Sequence, residues 1–345
     1  MGARRLTPKN AQMGAATRKL MNHSLSGVTA ITIEAIEAAR ERIADTIVRT
    51  PLLELQGTTG PRVFLKMENL QPINSFKLRG AANAIAMLDS EKRALGVWTI
   101  SAGNAGQGVA YAARNAGVPC TVVAIELAPE TKIARMRALG AKIVKASWDA
   151  CWEGLERRSF PGIKGTFVHP FDDDNFIAGN ATAGLEIIED LPDVATVITA
   201  LGGGGLVTGV ASAVRAKKPN VRIFVAEPET AAPYARSLQL GKPSAFEAWQ
   251  PSFVDGAGGK SVFPRMWERM RGLVDGSIVV TLDQTRRAMR ILAERSRVIA
   301  EGAGALPVAA ALSGKAGNGP IVALISGGNI DLATFYEAIA SESKS

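Results

Sequence analysis

The sequence has little that could cross-link, chelate or span. Its two cysteines, Cys120 and Cys151, cannot build a disulfide framework. With only two histidines, His23 and His169, they form no spaced zinc cluster either. No run approaches about 18 consecutive apolar residues, so no membrane-spanning helix is expected. Residues 1–25 also lack the long apolar core of a secretory signal. A reducing, cytoplasmic setting fits these absences. Charged residues are only 21% against 47% hydrophobic, the balance of a folded soluble protein and not of a disordered one.

Acid is missing from residues 1–33, whereas Arg4, Arg5, Lys9, Arg18 and Lys19 lie there. That tail holds five of the eight net positive charges, and the +3 left over more than 300 residues points to no nucleic-acid surface. Residues 1–25 read as a basic extension. A transit peptide, a disordered tail and a translation start at Met21 all fit it.

At 345 residues the chain has room for about two domains. From Val97 onward, short apolar runs alternate with helix-length segments. Val97–Ile100, Cys120–Ile125, Lys142–Ala146, Thr166–His169, Thr196–Leu201, Val221–Glu227 and Ile321–Ser326 read as strands. Val109–Asn115, Glu130–Leu139, Gly179–Asp190, Leu206–Lys217, Asp283–Arg297 and a segment from Leu332 read as helices. Gly117 and Gly140 stand where helix C-caps belong. The order predicts parallel sheets with helices on both faces. Residues 228–280 carry five prolines and are expected to hold loops and short helices.

Three of these strands run straight into glycine turns: Ser101-Ala102-Gly103-Asn104, Gly202-Gly203-Gly204-Gly205, and Ser326-Gly327-Gly328-Asn329. Ligands of open α/β sheets bind beyond the carboxyl ends of strands. Four glycines before a helix bare their N–H groups beside its positive terminus, which suits a phosphate. No G-x-G-x-x-G occurs at the right spacing. The P-loop-like Gly259-Lys260-Ser261 has Val254 where the first glycine should be. A small phosphorylated cofactor remains.

Upstream, Lys77 stands between Phe76 and Leu78, at the start of a small-residue helix around Gly80–Ala84. A cation is unfavourable at a helix N-terminus and is better tolerated there neutral or covalently modified. An imine-forming lysine in an apolar surround and a surface lysine with a snorkelling stem both fit the residues alone.

Taken in order, Ser75-Phe76-Lys77-Leu78-Arg79-Gly80-Ala81, Ser101–Asn104, Gly202–Gly205 with Leu206, and Ser326–Asn329 closely resemble the fold-type II enzymes that use pyridoxal 5′-phosphate, in the threonine/serine dehydratase group. The likeness covers roughly residues 28–340. It implies an α/β fold of two open, twisted, mainly parallel-sheet domains of the tryptophan synthase β type, with the cofactor between them. Residues 26–95 and 178–340 would form the large cofactor-binding domain, and residues 96–177 a small mobile one. Lys77 would hold the cofactor as an imine and take the substrate α-proton. Phe76 would flank the ring, Asn104 would bond its hydroxyl, and Gly202, Gly203, Gly204, Gly205 and Leu206 would bind the phosphate. Glu301, in Glu301-Gly302-Ala303-Gly304-Ala305, would lie beside the cofactor, and Ser326 would face the pyridine nitrogen. Ser101, Ala102, Gly103, Asn104 and Ala105 would hold the substrate carboxylate. The implied reaction is elimination of water from a β-hydroxy amino acid such as threonine, serine, phenylserine or 3-hydroxyaspartate, giving a 2-keto acid and ammonia. A homodimer is implied, with no nucleic acid or membrane as partner. The alternatives are a racemase with side elimination and a non-catalytic cofactor- or amino-acid-binding protein.

Departures from the pattern also carry implications. Ala102 replaces the serine that serves related serine racemases as an opposite-face acid/base, so little racemisation is expected. Ala105 replaces a frequent histidine, and Leu78 argues against cysteine and threonine synthases. Glu227 matches one ligand of the divalent cation (magnesium or calcium) in metal-activated relatives, but Pro233 stands where a second carboxylate would fall. The regulatory domain of biosynthetic threonine dehydratases is expected to be absent, since none fits after Ser345.

Overall fold

The computed structural model describes residues 30–58 and 60–340; the basic extension at 1–25 lies outside them. Among the described residues, ten strands form two sheets. The larger runs β1 (Leu52–Glu54), β2 (Val63–Lys66), β10 (Ile321–Leu324), β7 (Thr196–Ala200), β8 (Arg222–Pro228), β9 (Gly276–Val280). Only the β1–β2 pair is antiparallel; in the rest, Ile321 aligns with both Val63 and Thr196, and Val197 with Ile223. The smaller sheet is wholly parallel, in the order β5 (Lys142–Ala146), β4 (Cys120–Ile125), β3 (Val97–Ile100), β6 (Thr166–Phe167).

Helices cover both faces of the larger sheet, as a parallel sheet requires. On one face Val197, Ile223 and Val322 pack with Ile177, Ala181, Val207 and Val210. On the other, Ile198, Ala226 and Ala323 pack with Leu306, Val308 and Leu292. Alternate residues of each strand thus serve opposite faces. The helix Lys77–Ala86 shares its core with the smaller sheet: Leu78, Ala81 and Ile85 cluster with Val97, Val109 and Val122.

Differences from the expected elements have local causes. The strand from Thr166 stops at Phe167, because the His169 ring turns back and its Nδ1 accepts the N–H groups of Phe171 and Asp172. The helix expected from Gly179 starts at Asp174, where the Asp173 carboxylate caps the Phe176 N–H. The helix expected from Val109 starts at Asn104. Residues 228–280 contain the helices Pro233–Leu240 and Pro264–Met270, and also the edge strand β9. Gly117 and Gly140 do adopt positive φ, +66° and +87°. Among the described residues no helix is long and apolar enough to cross a membrane.

Candidate active site

Four helices begin around one cleft, and no side chain caps any of them. Lys77–Ala86 follows Phe76, Asn104–Asn115 follows Gly103, Gly205–Lys217 follows Gly204, and Gly302–Leu312 follows Glu301. Elsewhere Thr32, Asp89, Ser147, Asp173 and Thr281 cap their helices, whereas Glu130–Ala138, Pro233–Leu240 and Pro264–Met270 also begin on a residue whose side chain does not cap. An uncapped first turn leaves its N–H groups for a ligand.

Lys77 is half-buried. Its Nζ donates to the Pro170 carbonyl at 2.6 Å and lies 5.1 and 5.5 Å from the ring centres of Phe76 and Phe176. Burial with no carboxylate in reach pulls the amine down to about 8. An amine partly neutral near neutral pH, held against a carbonyl, is suited to condense with an aldehyde.

The residue after Pro170 leads to the glycine turn. A Cβ on Gly203 would stand 2.2 Å from the Phe171 ring, one on Gly205 2.6 Å from the Phe171 carbonyl, and one on Gly202 2.9 Å from the Gly256 carbonyl. Gly204 has φ +88°. The turn is therefore glycine because the 170–171 segment and the 256 segment leave it no room for side chains. The result is a backbone cradle at a helix N-terminus, which fits a phosphate.

The third turn is bonded to the lysine segment. The Phe76 N–H donates to Ser326 O at 3.0 Å, and Ser75 bridges to Gly327. Ser326 is buried. Glu301 lies over Gly327, where a Cβ would meet its Oε1 at 2.5 Å. Asn104 Nδ2 donates to Glu301 Oε1 at 2.7 Å. Burial, then the Asp255 charge, lift the Glu301 carboxyl to about 8, against the pull of the Asn104 bond and Lys132. The turn Ser101–Asn104 is partly exposed at the mouth, with Gly103 N–H donating to Ser101 Oγ; Ala105 is buried behind it. The structure thus links Phe76 to Ser326 and Asn104 to Glu301 by hydrogen bonds, and sets Lys77 and the tetraglycine turn side by side through Pro170 and Phe171.

Glu227 is employed elsewhere. It sits at the end of β8, fully buried, and its two oxygens accept the N–H groups of Tyr234 and Ala235 at 2.8 Å and the Ser277 hydroxyl. It caps the helix Pro233–Leu240, and a cation would have to displace those donors. Among the described residues no three His, Cys, Asp or Glu side chains group as a metal would need. In this structure Glu227 serves as that helix cap.

Pro170, Phe171 and Phe176 were not singled out from the sequence, and Asn329 stood there only as the end of a glycine turn with no role assigned. Phe171 had a readable signal, an aromatic residue two positions beyond the expected strand Thr166–His169; the Pro170 carbonyl had none, being backbone.

Residues 43–327 match the family model described as "Pyridoxal-phosphate dependent enzyme". The chain is 41% identical over 308 residues to the L-threonine ammonia-lyase of Thermotoga maritima, covering 88% of this chain and 76% of that one. It superimposes on maize serine racemase with a TM-score of 0.83 at 33% identity, over 90% of this chain and 98% of that one. With the processed form of threonine deaminase isoform 2 from Solanum lycopersicum the values are 0.79 and 30%, over 91% and 95%.

Proposed function

Because the chain belongs to the pyridoxal-phosphate dependent enzyme family and is a pyridoxal-phosphate-dependent ammonia-lyase, we propose that it dehydrates a small β-hydroxy amino acid, threonine or serine, to a 2-keto acid and ammonia. The observation that carries this reading is Lys77: an amine lowered to about 8, without a carboxylate partner among the described residues, beside a backbone phosphate cradle. Lys77 would hold the cofactor, Gly202–Gly205 and Leu206 its phosphate, Asn104 its ring oxygen and Ser326 its ring nitrogen, with Phe76 against the ring. When bound, pyridoxal phosphate supplies an aldehyde that condenses with amines and a conjugated ring that delocalises the electron pair left at the α-carbon.

The chain's own residues then divide the work. Ser101, Asn104 and the open first turn of helix Asn104–Asn115 hold the substrate carboxylate. The Lys77 amine takes the α-proton; near neutral pH it has a neutral fraction ready to act as base. Ser326 would offer the ring nitrogen a hydroxyl, too weak an acid to protonate it, which would favour prompt elimination, the α-proton and the β-hydroxyl leaving the substrate together as one water, over a long-lived carbanion. The released enamine tautomerises and hydrolyses in solution. Ala102 presents a methyl group that cannot exchange a proton, which weighs against racemisation despite the serine racemase likeness. The proposal includes a homodimer in the cytoplasm, with residues 96–177 closing over the substrate.

The test is a panel of β-hydroxy amino acids scored for keto-acid release, with and without a chelator. Release from threonine or serine is expected, and a chelator should leave it unchanged. Interconversion of serine enantiomers without keto acid would overturn the reading.

A further inference from the structure

Asn329 closes the Ser326–Asn329 turn, is nearly buried, and has no part in the chemistry above. Its side chain is the hub of a hydrogen-bond chain between the two sheets. Arg135 Nη1, on the helix Glu130–Ala138, donates to Asn329 Oδ1 at 2.8 Å. Asn329 Nδ2 donates to the Ile73 carbonyl and to Asn104 Oδ1, both at 2.8 Å. Asn104 Nδ2 in turn donates to Glu301 Oε1 at 2.7 Å.

A carboxamide can face either way, and an unconstrained one offers a ligand its NH₂ or its oxygen. Here the choice is dictated. A guanidinium can only donate and a peptide carbonyl can only accept, so Asn329 must turn its oxygen to Arg135 and its NH₂ to Ile73. That NH₂ also faces Asn104, which must answer with its oxygen. The Asn104 NH₂ is left directed to Glu301 and the cleft.

We propose that Asn329, oriented by Arg135 and the Ile73 carbonyl, is a positioning residue that fixes the amide polarity of Asn104, so that Asn104 always presents its NH₂ to the oxygen on the cofactor ring. This rests on the reading that Asn104 meets that oxygen. With the amide reversed, lone pair would oppose lone pair, and the ring oxygen would hold a proton more tightly.

The near-isosteric Asn329→Asp tests it. A carboxylate accepts only, so it keeps Arg135 and turns the Asn104 amide round. In holoenzyme, the cofactor dissociation constant should rise about tenfold or more, the worth of a hydrogen bond to a charged group. The pH midpoint of the visible absorption should move upward by about one unit. Arg135→Met should shift both in the same direction by less, since the Ile73 carbonyl still holds the hub, and Arg135→Lys should restore them. Asn104→Ala separates the two ideas. If it leaves the midpoint unmoved, Asn104 does not meet the ring oxygen. If it moves the midpoint while Asn329→Asp and Arg135→Met do not, the positioning role is wrong. Should Asn329→Asp not fold, Arg135, whose stem is at the surface, decides: a midpoint that Met shifts and Lys restores supports the relay, and an unmoved one overturns it.

Discussion

Two sets of buried charge flank the first turn of the helix that starts at Lys77, and they are treated in opposite ways. Arg79, about 200° round the helix from Lys77, points into a closed lattice. Its guanidinium bonds Glu68 at 2.8 Å and Glu186 at 2.7 Å, and Lys66 bonds Glu186 at 2.6 Å and the Thr50 carbonyl at 2.7 Å. Two cations face Glu68 and Glu186, Asp190 stands 3.8 Å from Lys66, and Thr50, Gln71 and Thr182 take up remaining sites. Burial pushes Glu68 up, but Arg79 and Thr50 outweigh it, and its carboxyl ends below the usual range. On the cleft side, Lys77 and Glu301 have polar but no ionic partners among the described residues, and burial moves both toward neutrality, to about 8. Paired buried charges stay ionised and anchor; unpaired ones titrate near the working pH and can exchange protons. The lattice holds the helix start rigid so that the unpaired amine beside it keeps its place.

The sharpest way to break this contrast is to exchange the roles. Lys77→Ala should cut turnover by roughly 10⁴-fold or more and abolish covalent attachment of the cofactor, read by borohydride trapping. Arg79→Met should do something different. It strands Glu68 without its ion-pair partner and leaves Glu186 to Lys66 alone, and denaturant unfolding should show a loss of about 3–5 kcal/mol. If Arg79→Met were as stable as the parent, the lattice would be ornamental.

These two residues also show what could be read in advance. Both belong to one sequence motif, and the motif alone could not say that Lys77 looks into a cleft while Arg79 looks into the core; that depends on Glu186, more than 100 positions away. Most parallel strands from Val97 onward were legible as short apolar runs, three of them closed by glycine turns; the edge strand β9 was not, lying among the prolines of residues 228–280. Helix Gly302–Leu312 was hidden, since Gly302, Gly304 and Pro307 are poor helix formers. It is helical because it is buried on all sides in the core beneath β7 and β10. The site was legible where side chains or glycines bind, and illegible where backbone does, as at Pro170.

A smaller effect of opposite sign to Arg79→Met should come from Lys77→Met in cofactor-free protein. The folded Lys77 amine is lowered from 10.5 to about 8. The folded amine therefore loses its proton through pH 8 while the unfolded chain keeps its own up to 10.5, so the penalty is full below 8 and shrinks to nothing by 10.5. Removing the charge should raise stability by about 3 kcal/mol below pH 8, and the gain should fade by about pH 10.5. A destabilising Lys77→Met at pH 7 would mean that the amine is better solvated than its surroundings indicate.

Glu301→Gln gives the finest discrimination, because it is read as a slope. The folded carboxyl is raised from 4.5 to about 8, so between those values the native state binds a proton that the unfolded state has released. The stability associated with Glu301 is fully present below pH 4.5 and is lost as pH rises through 8. Relative to Glu301→Gln, the parent should thus lose about 1.4 kcal/mol per pH unit across that window, measured as the difference between their denaturant midpoints at pH 5, 6 and 7. Glutamine keeps the acceptor that Asn104 Nδ2 needs, so the bond to Asn104 survives in the variant and only the titration is removed. Parallel pH profiles for the two proteins would place a cation against Glu301 in solution, and the cleft would then resemble the lattice behind it.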